Sequence, residues 1–193
     1  NSKKITRIIL STDDEKIADV ARSYDIEIPF MRPPELAGDN SLIVDTYLYT
    51  INRVNKEFGG NFDSLVALLP TCPFRYAEDI DKAITVFEEK KADSVISFYE
   101  APHPVQWYRY MDENGVLRPF FEESKKLANR QEERKSYLPN GGIYVFKQSL
   151  LEKKQYYSDK TYPYIMPKER SVDIDTEFDF KYAEFIYNYL KGK

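Results

Sequence analysis

Near the C-terminus the chain reads SVDIDTEFDF, from Ser171 to Phe180. Asp173 and Asp175 stand one residue apart around Ile174. In extended backbone, residues two apart face the same way. The two carboxylates would then project together, with Ile174 buried behind them. Paired carboxylates at a strand end suit a hard divalent cation such as Mg2+, which binds through one or two carboxylates plus substrate phosphates. The same stretch has a plainer use. Asp175 or Thr176 can cap the following helix, and Asp179 lies three residues after Thr176, as in a capping box. The two uses are compatible.

Other polar clusters carry similar double readings. STDD and RPPELAGDN supply Asp13, Asp14, Arg32, Asp39, Asn40 and Ser41. A polar loop with one arginine could hold a phosphate, a ribose or a base edge. Equally, Pro33 and Pro34 stiffen a turn, and Asp39-Asn40 can precede or cap a helix. In PTCPFR, Arg75 could meet a ligand anion or pair with Glu78 or Asp79 one turn along. Cys72 needs a nearby base to act as a nucleophile, and the single histidine, His103, lies between prolines in a separate segment. One cysteine and one histidine cannot build a Cys/His zinc centre. Arg130–Gln131 and NGGIYVF remain. Gly141 and Gly142 permit close backbone approach, and Asn140 and Tyr144 could hydrogen-bond a polyhydroxylated ligand. They also suit a turn into a strand, with Tyr144 partly in the core.

The elements that must position these groups alternate. Arg7–Leu10 reads as a buried strand, with Ser11 or Thr12 as cap of a helix bearing Ile17, Val20, Ala21 and Tyr24. IEIPF is a short strand. Ile43, Tyr47, Ile51 and Val54 mark a second helix, ended by EFGGN. SLVALLP is a continuous apolar run, as in a strand covered on both faces. A third helix carries Ile80, Ala83, Ile84 and Phe87, and SVISFYE is the next strand. This order predicts a mostly parallel sheet with helices on both faces, its ligands at the carboxyl ends of the strands. Beyond residue 100, VQWYRYMDENGVLRPFF reads as a hairpin around Asp112–Gly115. EESKKLANRQEERK is charged and without apolar period, a solvated loop or an arm reaching a partner. NGGIYVF is a strand, TYPYIMP an edge strand by its prolines, and Thr176–Leu190 the last helix.

The bulk numbers fit one domain of 193 residues with a real core. The 28 basic and 32 acidic residues leave a net charge of -4, mixed along the chain, which argues against a general nucleic-acid binder. A single cysteine excludes an internal disulfide framework and fits a reducing compartment. There is no membrane-span-length apolar run and no signal-peptide pattern, so the cytoplasm is the expected location. Aromatics make up 15% of residues, including 16 tyrosines and 12 phenylalanines, and an assembly surface is a plausible use for some of them.

Taken in order, STDDEKIADVA, RPPELAGDN, LLPTCPFR, RQ, NGGIYVF and SVDIDTEFD resemble the acylneuraminate cytidylyltransferases, the CMP-sialic acid synthetases and their bacterial relatives. The resemblance runs over nearly the whole chain. It implies a Rossmann-like nucleotidyltransferase fold, an α/β three-layer sandwich with an inserted dimerisation hairpin at about residues 97–139. It implies transfer of CMP from CTP to the anomeric hydroxyl of a nine-carbon 2-keto sugar acid, release of pyrophosphate, a need for Mg2+, and a homodimer. On these motifs Asp173 and Asp175 match metal-binding aspartates. Arg32, Asn40 and Ser41 match the nucleotide side. Arg130, with Gln131, matches a residue assigned to the sugar acid, and Asn140 and Tyr144 match the strand lining the sugar pocket.

The chain departs from the pattern twice. Leu69 stands where many members have glutamine, which bears on sugar choice. The family also opens with a strand and a glycine-rich basic loop that cradles the triphosphate. Nothing like that loop precedes Arg7, so the resemblance implies a domain N-terminally incomplete in this chain and with little turnover by itself. Two other readings remain open. One is a nucleotidyltransferase for another sugar or nucleotide. The other is a non-catalytic interaction domain of the same fold.

Overall fold

The structure, a computed structural model, describes residues 1–121 and 134–192. In chain order the elements are α1 (Glu15–Arg22), α2 (Ile43–Glu57), β1 (Ser64–Ala67), α3 (Ala77–Glu89), β2 (Ser94–Glu100), β3 (Arg109–Met111), β4 (Leu117–Pro119), β5 (Tyr137–Lys147), α4 (Gln148–Leu151), β6 (Thr161–Ile165) and α5 (Glu177–Lys191). The main sheet has the order β1-β5-β2-β6. β5 runs antiparallel to both β1 and β2, while β2 and β6 are parallel. Three of the four strands therefore point the same way. The expectation of a mostly parallel sheet holds for direction, with β5 as the reversed member between β1 and β2.

Strand alternation divides the core between two faces. Val66, Val95, Ile143 and Val145 face α3, where they pack with Ile80, Ala83, Ile84 and Phe87. Leu65, Ile96, Tyr144 and Phe146 face the other way, onto Val44, Tyr47 and Leu48 of α2 and Leu150 and Leu151 of α4. These are the three layers of an α/β/α sandwich. β6 is the edge strand that its prolines require: Pro163 pairs with Ile96 on the one side where β6 has a neighbour. α5 lies outside the layers and buries a narrow face, Ala183 and Ile186, against Val172, Ile174 and Phe74. Phe178, Phe180, Tyr182, Phe185, Tyr187 and Tyr189 of the same helix are exposed.

Several local expectations are corrected. Arg7–Leu10 and IEIPF do not form strands; they meet in a single parallel bridge, Ile9 to Glu27. A pair with no third strand gains too little burial to regularise, and Ile8 and Ile26 remain exposed. α1 is capped by Asp14, whose carboxylate accepts from the N–H groups of Lys16 and Ile17, and not by Ser11 or Thr12. Its buried face is Ala18 and Ala21; Ile17, Val20 and Tyr24 face outward. α2 starts after Leu42 without a side-chain cap, so Asp39-Asn40 does not cap it. The hairpin around Asp112–Gly115 forms as β3 and β4. β2 continues to Glu100 and pairs there with Tyr137 of β5. Ala101 N–H donates to the Ser136 carbonyl at 2.8 Å and closes the base of an excursion from the sheet, of which residues 101–121 and 134–136 are described; residues 97–100 and 137–139 of the expected insertion belong to the main sheet.

Candidate active site

The Ser171–Asp175 segment reaches back over the carboxyl end of β1. Ile174 N–H donates to the Thr71 carbonyl at 2.9 Å, and the Ile174 side chain packs into the cluster beneath α5. Asp173 and Asp175 flank it and are exposed. Exposure alternates along the segment, with Ile174 partly buried and both acids exposed. The capping box forms as well: Thr176 N–H donates to Asp179 Oδ2 at 2.8 Å, and Asp179 N–H to Thr176 Oγ1 at 3.2 Å. The Thr176 hydroxyl holds the Asp179 carboxyl below its ordinary pKa. Because Thr176 and Asp179 cap α5, the Asp175 carboxylate is released from that duty.

Asp173 is placed by β5. Opposite Ser97 the β2–β5 register breaks: Ile96 pairs with Tyr144, but Phe98 pairs with Pro139. The extra β5 residues form a bulge at Asn140–Gly142, a feature that re-aims a strand locally. Gly141 has φ +70, and a Cβ there would meet Asp173 Oδ2 at 3.7 Å and Leu69 Cδ1 at 3.6 Å. The Asp173 carboxylate thus lies over bare backbone. Gly142 is packed more tightly still, with Asn140 Oδ1 at 3.2 Å and Cys72 Sγ at 3.3 Å from where its Cβ would be. Ser97 closes the bulge. Its hydroxyl donates to Asn140 Oδ1 at 2.5 Å and accepts from Ile143 N–H at 2.7 Å.

Asn140 has its amide turned inward and is 2% exposed. Oδ1 also accepts from Gly142 N–H at 3.1 Å, and Nδ2 donates to Ser171 Oγ at 2.8 Å. Its polar atoms are thereby committed within the protein, unlike the ligand-facing role expected from sequence. Tyr144 is half-buried, stacked on Phe146 with centroids 5.8 Å apart. Burial raises its pKa, with Asp173 among the nearby charges adding to the effect. Tyr144, Asp173, Gly141 and Leu69 therefore gather at one end of the sheet, where β1 finishes.

The PTCPFR loop is held by Arg75, which donates to the carbonyls of Leu69 at 2.7 Å and Cys72 at 2.6 Å. Its expected partners Glu78 and Asp79 are not the ones it takes, and burial lowers its pKa. Asp79 pairs with Arg170 instead, and also accepts from the Tyr164 hydroxyl at 2.9 Å and the Tyr76 N–H at 2.7 Å. Burial alone would raise the Asp79 pKa, but these donors outweigh it and the net shift is downward. Arg170 also stacks over the Tyr76 ring at 4.4 Å. Sequence reasoning missed this pair, although Asp79 stands four residues before the buried Ala83, on the face that α3 turns inward. Cys72 is fully buried, and that burial pushes its thiol pKa up, as expected of a packed residue and not of a nucleophile.

The nucleotide-side residues follow the Ile9–Glu27 bridge. Arg32 N–H donates to the Thr12 carbonyl at 2.8 Å, and its Nη2 to Asp13 Oδ1 at 2.5 Å, while its buried Nε has no partner. The Arg32 contact holds the Asp13 carboxyl below its usual range. The Ser41 hydroxyl donates to the Glu35 carbonyl at 2.8 Å and closes the loop; Asn40 is exposed. Arg130 and Gln131 lie outside the described residues.

The donor set fits Mg2+. Asp173 and Asp175 are hard oxygen ligands, and no described residue engages either carboxylate by an ion pair or hydrogen bond. Among the described residues no group of three or more His, Cys, Asp or Glu side chains could hold a metal.

The cytidylyltransferase family model matches residues 1–190. The CMP-N,N'-diacetyllegionaminic acid synthase of Legionella pneumophila is 32% identical over 181 residues, covering 92% of this chain and 76% of that protein. The post-translational flagellin modification protein B of Campylobacter coli is 31% identical over 187 residues, 96% of this chain and 79% of that protein. The N-acylneuraminate cytidylyltransferase of Escherichia coli is 30% identical over 184 residues, 94% of this chain and 42% of that protein. A solved CMP:2-keto-3-deoxy-manno-octonic acid synthetase complexed with CTP shares the fold, with a TM-score of 0.65 at 11% identity over 98% of this chain and 83% of that one. With a family match over residues 1–190 and two relatives above 30% identity covered over about three quarters of their own length, the chain belongs to the cytidylyltransferase family.

Proposed function

We propose that this protein activates a nine-carbon 2-keto sugar acid with CTP, giving a CMP-sugar and pyrophosphate. One observation carries the reading. Two carboxylates that no described residue engages flank the partly buried Ile174 near the carboxyl end of β1, beside a glycine that leaves the space around Asp173 open. The names of the relatives, a CMP-N,N'-diacetyllegionaminic acid synthase and N-acylneuraminate cytidylyltransferases, support the substrate class.

In the reaction the anomeric hydroxyl of the sugar acid attacks the α-phosphorus of CTP. A new P–O bond forms, the bond to the α–β bridging oxygen breaks, and pyrophosphate leaves with that electron pair. The hydroxyl proton passes to solvent. Asp173 and Asp175 would hold Mg2+, which when bound neutralises charge developing on the phosphates. Arg32, Asn40 and Ser41 are assigned to the nucleotide. The Arg32 guanidinium already faces an acid, Asp13, and would exchange that partner for phosphate or ribose. Tyr144 lines the sugar side, and Arg130 with Gln131 is assigned to the sugar carboxylate. Leu69 presents an apolar wall beside Asp173. The excursion at 101–136 carries exposed Trp107, Tyr108, Tyr110, Met111, Leu117, Phe120 and Phe121, and is assigned to a homodimer contact. No helix among the described residues is long and apolar enough to cross a membrane. A cytoplasmic site of action fits the use of CTP and the single cysteine.

The test is pyrophosphate release by the full-length protein across CTP, UTP, GTP and ATP, each with a panel of nine-carbon sugar acids. Release with CTP and a 2-keto acid alone is expected. Release with UTP and a sugar phosphate would instead make it a nucleotidyltransferase for other substrates. Absence of any nucleotide binding would leave an interaction domain.

A further inference from the structure

The acid-bearing segment does not hold itself. From Pro167 to Asp175 no residue belongs to a strand or α-helix; the segment makes one 3-10 turn at Lys168–Arg170. The polar attachments that hold it include the Ile174 N–H donating to the Thr71 carbonyl at 2.9 Å and the Asp79–Arg170 ion pair. A further one is a relay that begins in β2. Ser97 Oγ donates to Asn140 Oδ1 at 2.5 Å, Asn140 Nδ2 donates to Ser171 Oγ at 2.8 Å, and Ser171 Oγ donates to the Pro167 carbonyl at 2.9 Å. Ser171 is two residues from Asp173, and Asn140 is next to Gly141, over which the Asp173 carboxylate lies. The relay therefore fixes both the floor beneath the carboxylate and the chain that delivers it.

We propose that Ser97, Asn140 and Ser171 are positioning residues that set the Asp173 carboxylate for a divalent cation. This rests on the reading of Asp173 as a metal ligand. It also gives Asn140 a task other than touching the sugar. Ser97 and Asn140 are 1% and 2% exposed, and neither has an unused hydrogen-bonding edge facing the cleft. Losing a group that hydrogen-bonds a metal ligand from behind typically weakens metal binding by about 10-fold to 100-fold; Ser97, Asn140 and Ser171 act one step further out, on the backbone that carries Asp173, so the low end of that range is expected. No described residue engages the Asp173 oxygens by hydrogen bond or ion pair. Its aim is therefore entirely a matter of where the backbone on either side is anchored.

The experiment titrates Mn2+ into the full-length protein with saturating CTP, reading free Mn2+ by electron paramagnetic resonance, on folded variants of matched melting temperature. Ser171→Ala is the first variant, because Ser171 is at the surface of the relay and its loss leaves the core intact. Its Mn2+ dissociation constant is expected to rise about tenfold, and Ser171→Thr, which keeps a hydroxyl, should return it to within about twofold of the parent. Asn140→Ala should show the same weakening, with the Michaelis constant for the sugar acid unchanged. Unaltered Mn2+ affinity in Ser171→Ala and Asn140→Ala overturns the proposal. So does a sugar Michaelis constant that climbs in Asn140→Ala while Mn2+ affinity stays put, since that is the signature of a direct sugar contact. Asp173→Asn separates the two layers: if it binds Mn2+ like the parent, the metal reading itself fails and the positioning role goes with it.

Discussion

Asp173 and Asp175 are surface carboxylates with no described partner, so their loss should register in chemistry and not in folding. Asp173→Asn and Asp175→Asn should each lower turnover by about 100-fold or more, the order expected when a charge-stabilising ion is lost. Circular dichroism melts should stay within a degree or two of the parent. A variant that loses its melting temperature before its activity would contradict the assignment. Asp79 is the opposite case. It is buried, and removing its charge strands Arg170, whose side chain is 14% exposed. Breaking a buried pair from one side costs about 3–5 kcal/mol, so Asp79→Asn should shift the urea midpoint down strongly. The pH dependence has a definite sign. The Asp79 pKa is depressed in the folded state, so its stabilisation is complete above the unfolded carboxylate value of about 3.9. It fades as pH falls through the lower folded value. The gap between parent and Asp79→Asn should be flat from neutral pH to about pH 5 and narrow below about pH 4.

Among the elements, β5 is decisive. It is the reversed strand between β1 and β2, and its bulge at Asn140–Gly142 is where the sheet's regularity is given up to bring backbone beneath Asp173. Gly141→Ala probes it. The added methyl would be in ordinary contact with Leu69 and Asp173, but φ +70 is left-handed and strains a residue with a Cβ by about 1 kcal/mol. A small loss of stability is expected together with a larger loss of Mn2+ affinity, because the strain is relieved by moving the backbone under the carboxylate. Stability and Mn2+ affinity falling in proportion would mean that the bulge serves folding alone. α5 shows how an element can be legible yet misread in detail. Its start at Thr176 and its capping box follow from TEFD, and Ala183 and Ile186 are buried as the spacing suggests. Phe180 and Tyr187 share that side by helical spacing but are exposed. Helical period selects a stripe; which part of the stripe meets the core depends on the loops it lands on, here Phe74, Val172 and Ile174.

At the scale of the whole molecule, the described residues 107–121 outside the sandwich leave several large apolar side chains in solvent. Met111 is 70% and Leu117 68% exposed, and they face each other across the β3–β4 ladder. Exposed apolar patches of this kind are typical of contact surfaces, which supports the proposed dimer contact. The double variant Met111→Glu, Leu117→Glu should convert a dimer to a monomer in sedimentation velocity, because burying two carboxylates at an apolar contact is unfavourable. A parent protein that sediments as a monomer at micromolar concentration would remove the dimer from the proposal.

The amino-acid sequence by itself settled the alternation of helices and strands, the edge position of the proline-bearing β6, the hairpin turn, and the candidacy of Asp173 and Asp175. Each of these is written in short-range patterns: period, turn chemistry, capping, a pair of acids around one apolar residue. Tertiary structure alone decided that β5 runs against its neighbours. It decided that Arg7–Leu10 and IEIPF meet in no more than a bridge, that Asp79 takes Arg170 rather than Arg75, and that Asn140 turns its amide inward to Ser97 and Ser171. Those outcomes join residues 43, 91 and 31 positions apart in the chain. A hydrogen bond across such a distance leaves no local mark, because its partner is chosen by the packing of the whole sheet.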